Sequence, residues 1–122
     1  DVGAEHPSAR VDGAIVRRGE GRATVTFGEA TVELPDPGGR SDAVIVGVRP
    51  QAIRLTAEGG PASLPVTVRK ATYLGSHLEY VLDSSVGELF VVDPTSETPA
   101  PTGASAFATF REDGVALVPR GD

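Results

Sequence analysis

Between Arg22 and Leu34 the sequence alternates strictly. Ala23, Val25 and Phe27 are separated by Thr24 and Thr26; beyond Gly28 and Glu29, Ala30, Val32 and Leu34 are separated by Thr31 and Glu33. A period of two sends successive side chains to opposite faces of a strand, so each stretch is a strand with one apolar face. Gly28 supplies the positive φ that the first central position of a type II′ turn needs, and the two strands therefore form a hairpin. Such a hairpin must be covered by further elements to bury its apolar side. Those elements are strands too, because no stretch of ten or more residues carries helical periodicity. The most helix the sequence allows is a turn or two between Pro50 and Arg54.

The same reading places the other strands. Gly13 to Arg18 forms one, joined to the hairpin through Gly19-Glu20-Gly21, and Asp1 to Val11, with Pro7 and no pattern, reads as a linker remnant before a domain spanning 12–122. After a loop holding Pro35, Pro37, Gly38 and Gly39, the β-branched run Ala43 to Arg49 shows little alternation, as for a strand covered on both sides, and Pro50 stops it. Ile53 and Leu55 make a short element. Leu64 to Leu74 is a long strand, inward at Leu64, Val66 and Val68, with a phase slip expected near Ala71 to Tyr73, where a bulge bends it. His77 to Asp83 puts Leu78, Tyr80 and Leu82 on one face and His77, Glu79, Val81 and Asp83 on the other, and Gly87 to Asp93 pairs back on it across Ser84 to Val86. Thr95 to Thr102 is a Pro-rich loop. Ala104 to Arg111 and Val115 to Val118 are expected to form a hairpin across Asp113-Gly114.

An internal echo accompanies these strands. At a constant spacing of 62 residues, Val44, Val46, Val48, Arg49, Ile53 and Leu55 correspond to Ala106, Ala108, Phe110, Arg111, Val115 and Leu117. Each copy is a strand ending in Arg, a turn and a short apolar strand, and each follows a hairpin. Neither half buries its apolar face alone, so two halves closing on each other predict an all-β barrel or sandwich.

Charge and composition narrow the function. Seventeen acidic against eleven basic residues give a net charge of −6, a field that opposes nucleic acid before any phosphate is touched. With no cysteine there is no disulfide frame, thiolate metal site or cysteine nucleophile. The longest apolar run, Ala43 to Val48, falls far short of the roughly 18 residues of a spanning helix, so no direct membrane insertion is expected. The chain opens at Asp1 and holds no methionine, as expected of a piece cut from a longer protein.

Chemistry is sparse. The histidines are His6 and His77; a Ser/His/Asp arrangement is combinatorially possible with Ser76 or Ser84, His77 and Asp83, but Ser76 and His77 are strand neighbours expected to face opposite ways, and no G-x-S-x-G elbow is present. His77 and Glu79 share a face and can hold a metal only with a ligand from another strand. A nucleotide-hydrolysing loop needs a Gly-rich stretch ending in Lys-Ser/Thr, yet the one lysine, Lys70, precedes Ala71. Arg49, Arg69, Lys70 and Arg111 are candidates for an anion site or, more simply, a solvated face. Of these, Arg49 stands at a strand end where a guanidinium ties down carbonyls or reaches a carboxylate on a facing domain.

Gly47-Val48-Arg49-Pro50-Gln51-Ala52-Ile53-Arg54-Leu55 resembles the G-x-R-P-E-x-(I/L)-x-L stretch in the C-terminal region of ATP-binding subunits of ABC importers of the maltose, iron(III), polyamine and thiamine type. Tyr73-Leu74-Gly75-Ser76 is similar to that region's next signature, and Gly13-Ala14-Ile15-Val16 sits where it begins. The region is the TOBE, or transport-associated OB, domain. The resemblance implies a small OB-like barrel built from two TOBE half-repeats, with Gly47, Arg49, Pro50, Tyr73, Leu74 and Gly75 at motif positions and Gln51 departing from the family's usual Glu. It implies a non-catalytic regulatory domain that braces a homodimer of ATP-binding subunits, working with permease subunits at the cytoplasmic face of the cell membrane. ATP and Mg are then expected only in a domain upstream, and no cofactor in this fragment. The dimer contact is expected on the face of Tyr80 or on that of His77 and Glu79. The alternative is a module that holds a small oxyanion, as related barrels of molybdate systems do; Ser8-Ala9-Arg10 is similar to a short motif of those proteins. Binding of oligosaccharide or single-stranded nucleic acid to an OB surface has only Tyr73, Tyr80 and Phe107 as exposed-aromatic candidates.

Overall fold

Around Gly28 the hairpin forms as the alternation requires: Gly28 has φ of 57°, and Phe27 pairs with Ala30 and Val25 with Val32. Ala23, Val25, Phe27, Ala30 and Leu34 are buried, while the threonines between them are half-exposed. The computed structural model describes residues 9–94 and 100–119, which contain ten strands. These are β1 (Ala9–Gly19), β2 (Arg22–Phe27), β3 (Ala30–Pro35), β4 (Ala43–Val48), β5 (Ile53–Thr56), β6 (Leu64–Tyr73), β7 (Leu78–Ser84), β8 (Gly87–Asp93), β9 (Ser105–Phe110) and β10 (Val115–Pro119). Single 3-10 turns at Pro50–Ala52 and Glu112–Gly114 join β4 to β5 and β9 to β10.

The strands make two antiparallel sheets, ordered β10-β4-β1-β2-β3 and β5-β9-β6-β7-β8. The second order is the first with every strand replaced by its counterpart in the other half of the chain. The two halves, β1 to β5 and β6 to β10, are therefore structurally equivalent, and each lends its last strand to the edge of the other's sheet. Even the irregularities match. A bulge at Val16, between Ile15 and Arg17, bends β1 against β2, and one at Arg69, between Val68 and Lys70, bends β6 against β7. Both sheets curl around one apolar core in which Leu64, Val68, Leu78, Leu82 and Ile53 are fully buried. This is the all-β, two-half, OB-like barrel that the echo and the motifs imply.

Four local expectations are corrected. Ala9, Arg10 and Val11 are not linker: they open β1 and pair with Val48, Gly47 and Val46 of β4. Gly13 between inward Val11 and Ile15 hides that alternation; residues 1–8 of the expected linker lie outside the described residues. The bulge of β6 falls at Arg69 rather than at Ala71 to Tyr73. The strand β4 is covered on one side only, with Val44, Val46 and Val48 buried but Ile45 and Gly47 half-buried and Ala43 exposed. Most consequential, β9 and β10 are not a hairpin. Neither Asp113 nor Gly114 has a positive φ; the chain turns through Glu112–Gly114 and changes sheet, so that β9 lies between β5 and β6 while β10 pairs with β4.

One ion pair pins the second turn to the first sheet. Arg22 of β2 donates Nη1–H to Oε2 of Glu112 at 2.9 Å and Nη2–H to Oε1 at 3.0 Å. That hydrogen bond, with the attraction behind it, holds the Glu112 carboxyl below the usual carboxylate range. A lowered carboxyl stabilises the fold above its unfolded pKa, and that contribution disappears as pH falls through the lowered value. Arg22→Gln is expected to raise the Glu112 pKa toward an ordinary glutamate; a carboxyl-carbon NMR titration showing no change on this substitution would contradict the pairing.

Candidate functional site

The motif Gly47 to Leu55 folds into the first of two equivalent corners. Arg49 and Arg111 precede the two 3-10 turns in extended conformation, with φ and ψ of −75° and 143° and of −82° and 130°. The corners lock reciprocally. Arg49 donates its backbone N–H to the carbonyl of Gly114 at 2.9 Å, and Arg111 donates its own to the carbonyl of Ala52 at 2.8 Å. Within each turn Ala52 donates to Arg49 at 2.9 Å and Gly114 to Arg111 at 3.0 Å. The strands flanking them pair in the same exchanged sense, Val48 with Val115 and Ile53 with Phe110. At spacing 62, Arg49 corresponds to Arg111, Gln51 to Asp113 and Ala52 to Gly114, so a local two-fold axis passes between the corners. Pro50 is buried at the start of the first turn, where a missing N–H costs nothing.

Two of the four candidate cations are thereby brought together. Arg49, Gln51, Ala52, Arg111, Asp113 and Gly114 line a hollow of about 190 Å³. A second, of about 300 Å³, adjoins it and is bordered by Gly47, Arg49, Asp113, Gly114, Val115 and Ala116. Arg111 is paired with Asp113 at 3.0 Å. Arg49 is exposed, and its guanidinium forms no ion pair among the described residues. The tying of carbonyls expected of Arg49 is done instead by Arg54, which donates to the carbonyls of Gln51 at 2.8 Å and Ile53 at 2.9 Å. The other two cations lie apart: Arg69 pairs with Asp83 and Glu88, and Lys70 is exposed on β6.

The second motif forms the β6–β7 turn. Tyr73 and Leu74 are 52% and 51% exposed, the Tyr73 hydroxyl donates to the carbonyl of Gly75 at 3.0 Å, and Gly75 takes a φ of 87°. Ser76 and His77 do not diverge as strand neighbours do, because Ser76 belongs to the turn: its Oγ is 2.9 Å from His77 Nδ1, and His77 Nε2 is 3.2 Å from Glu79 Oε2. With Nε2–H donating to the carboxylate, Nδ1 accepts from the serine hydroxyl. Ser76 is exposed at the tip, and the chain of bonds braces the turn. Tyr80 does not join this surface. It is 4% exposed, its ring faces the core as β7 alternates, and its hydroxyl accepts from the N–H of Ala100 at 3.1 Å. Tyr73, Tyr80 and Phe107 thus share no face; Phe107 is half-buried, its ring filling the space beside Gly59. Among the described residues no three histidine, aspartate or glutamate side chains gather as a metal site.

The comparisons extend these observations. The family model described as "TOBE domain" matches residues 46–118, which include both corners and the β6–β7 turn. Curated relatives named "Fe(3+) ions import ATP-binding protein FbpC" include that of Brucella abortus (strain 2308), 27% identical over 104 residues, and that of Agrobacterium fabrum, 30% identical over 104 residues; each alignment covers 85% of this chain and 29% of the relative. A third, from Rhizobium meliloti and named "Fe(3+) ions import ATP-binding protein FbpC 1", is 32% identical over 96 residues, covering 79% and 27%. The chain therefore spans under a third of the length of these relatives. Among solved structures, the molybdate-bound form of the cytoplasmic molybdate-binding protein ModG superposes with a TM-score of 0.70 at 18% identity, covering 92% of this chain and 96% of that one, which establishes a shared fold. With the family model spanning both corners, the chain belongs to the TOBE domain family.

Proposed function

We propose that this TOBE domain is the regulatory and dimer-bracing part of an ABC importer's ATP-binding subunit and carries no chemistry of its own. The observation behind this is the alignment of nearly the whole chain to a fraction of longer ATP-binding import proteins. The nucleotide chemistry, with ATP and Mg, then belongs to the remainder of the parent subunit. The complex holds the domain at the inner face of the cell membrane, together with permease subunits, and ferric-ion importers are the first parents to test. A rigid barrel transmits force well because its packed core does not deform continuously. It acts on hydrolysis as a coupling free energy, by favouring one spacing of two subunits over another.

The contact we assign is the β6–β7 turn, where the exposed pair Tyr73 and Leu74 adjoins His77 and Glu79, and where a second copy meets it about a two-fold axis. Sedimentation equilibrium of the purified chain is expected to give a reversible dimer. Leu74→Asp, at a half-exposed position outside the core, is expected to weaken it by about tenfold or more, with an unchanged melting temperature at dilutions where both proteins are monomeric. A monomer at every concentration, or a dimer indifferent to Leu74→Asp, would remove this assignment.

A second reading, an oxyanion-holding module, is favoured by the two arginines that share one hollow and by the likeness in fold to a molybdate-binding protein.

A further inference from the structure

The two corners are equivalent in backbone and unequal in charge. In one, Arg111 has a carboxylate two residues on and pairs with it at 3.0 Å. In the other, the equivalent position is Gln51, a neutral amide, and Arg49 has no such partner among the described residues. With Asp113 neutralising Arg111, the hollow keeps one net positive charge on a protein whose net charge is −6. The backbone around the Arg49 guanidinium is fixed by two reciprocal hydrogen bonds between the corners and one within each turn.

We propose that Arg49 anchors a site for a single oxyanion, of carboxylate to sulfate size, which takes the place that a carboxylate at position 51 would otherwise fill. The planar guanidinium presents two parallel N–H donors that match two oxygens of such a group, and the Gln51 amide is able to donate a third hydrogen bond from the same wall. Gly47 keeps the adjoining wall low: a Cβ there would lie 3.9 Å from the carbonyl of Ala116, so the strand tolerates a side chain but the second hollow narrows. Arg111 is engaged by Asp113 and makes no direct bond to the ligand. This inference places the ligand of the second reading at a defined position and rests on that reading only for the ligand's chemical class.

The test is a titration of the ¹⁵N-labelled chain with sodium sulfate, then phosphate, then acetate, each against sodium chloride at matched ionic strength. Saturable amide shifts centred on residues 47–52 and 111–116 are expected. Arg49→Gln is expected to weaken binding at least tenfold. Gln51→Glu is expected to do the same by supplying an internal carboxylate, while the cross-peaks of the fold are kept. Arg17→Gln, an exposed arginine on β1 bordering a separate hollow, is expected to leave the affinity unchanged. Shifts that follow ionic strength alone, equally with chloride, overturn both the site and the oxyanion reading. Saturable binding that survives Arg49→Gln overturns the site and leaves that reading standing elsewhere on the surface.

Discussion

Gly114→Ala is expected to lower stability by about 2 kcal/mol, or roughly 8 °C in melting temperature for a domain of this size. The backbone at Gly114 is not the reason, since its φ is not positive and alanine can adopt it. Space is the reason. A Cβ at position 114 would stand 2.3 Å from the Cβ of Ala52, which is 3% exposed and part of the equivalent corner across the axis. The reciprocal hydrogen bonds of Arg49, Ala52, Arg111 and Gly114 prevent the corners from drawing apart without breaking. The axis holds one methyl group and no more. It follows that Ala52→Gly, harmful alone by about 1 kcal/mol through backbone entropy, should rescue Gly114→Ala, because the double variant moves the single methyl to the other side of the axis. Thermal or chemical denaturation of the four proteins measures this coupling. A neutral Gly114→Ala, or a double variant no better than the worse single one, contradicts the close approach of the corners.

Leu64→Ala is expected to cost about 3 kcal/mol, roughly 12 °C. Leu64 is fully buried at the start of β6 and pairs with Ala108 of β9. Its Cδ1 lies 2.9 Å from where a Cβ at Gly28 would be, so this side chain spans from the second sheet to the β2–β3 turn of the first. Gly28 and the strand partner Ala108 bring no side chain long enough to fill the space a truncation leaves, and Val86, whose Cγ1 approaches the same point, covers only its rim, so a cavity is expected to persist. The midpoint of urea denaturation should fall with the slope unchanged, as for a stability loss without a change in exposed area. A loss under about 1 kcal/mol would mean that the β2–β3 turn collapses onto the site and that the sheets are less firmly apposed than the core implies.

What was legible in the sequence was whatever local pattern decides. The β2–β3 hairpin follows from the alternation around Gly28, and β7–β8 from Leu78, Tyr80 and Leu82 facing Leu89 and Val91 across a short turn. The spacing of 62 between the arginine corners was visible as well, and it proved to relate two equivalent halves. The partner of β10 was not legible. Asp113-Gly114 is a hairpin signal on local grounds, yet β4 lies free to pair on that side, and a contact between Val48 and Val115 is decided by tertiary packing. Without that exchange of strands the shared hollow of Arg49 and Arg111 cannot be foreseen. Tyr80 shows the opposite failing. Its alternation with Leu78 and Leu82 already implied the core, and the phenol's need for a partner is met inside by the Ala100 N–H. Ser76 and His77 both precede β7, so the strand rule that sends neighbours to opposite faces does not apply to them.

The most direct measurement concerns the parent subunit without nucleotide. Its self-association should be compared, by sedimentation equilibrium, with that of a version lacking residues 9–119 and a version carrying Leu74→Asp. The intact subunit is expected to stay dimeric when ATP is absent, the truncated form to dissociate to monomers, and Leu74→Asp to fall between them. Equal association of all three in the absence of ATP would contradict the claim that this barrel holds two subunits together.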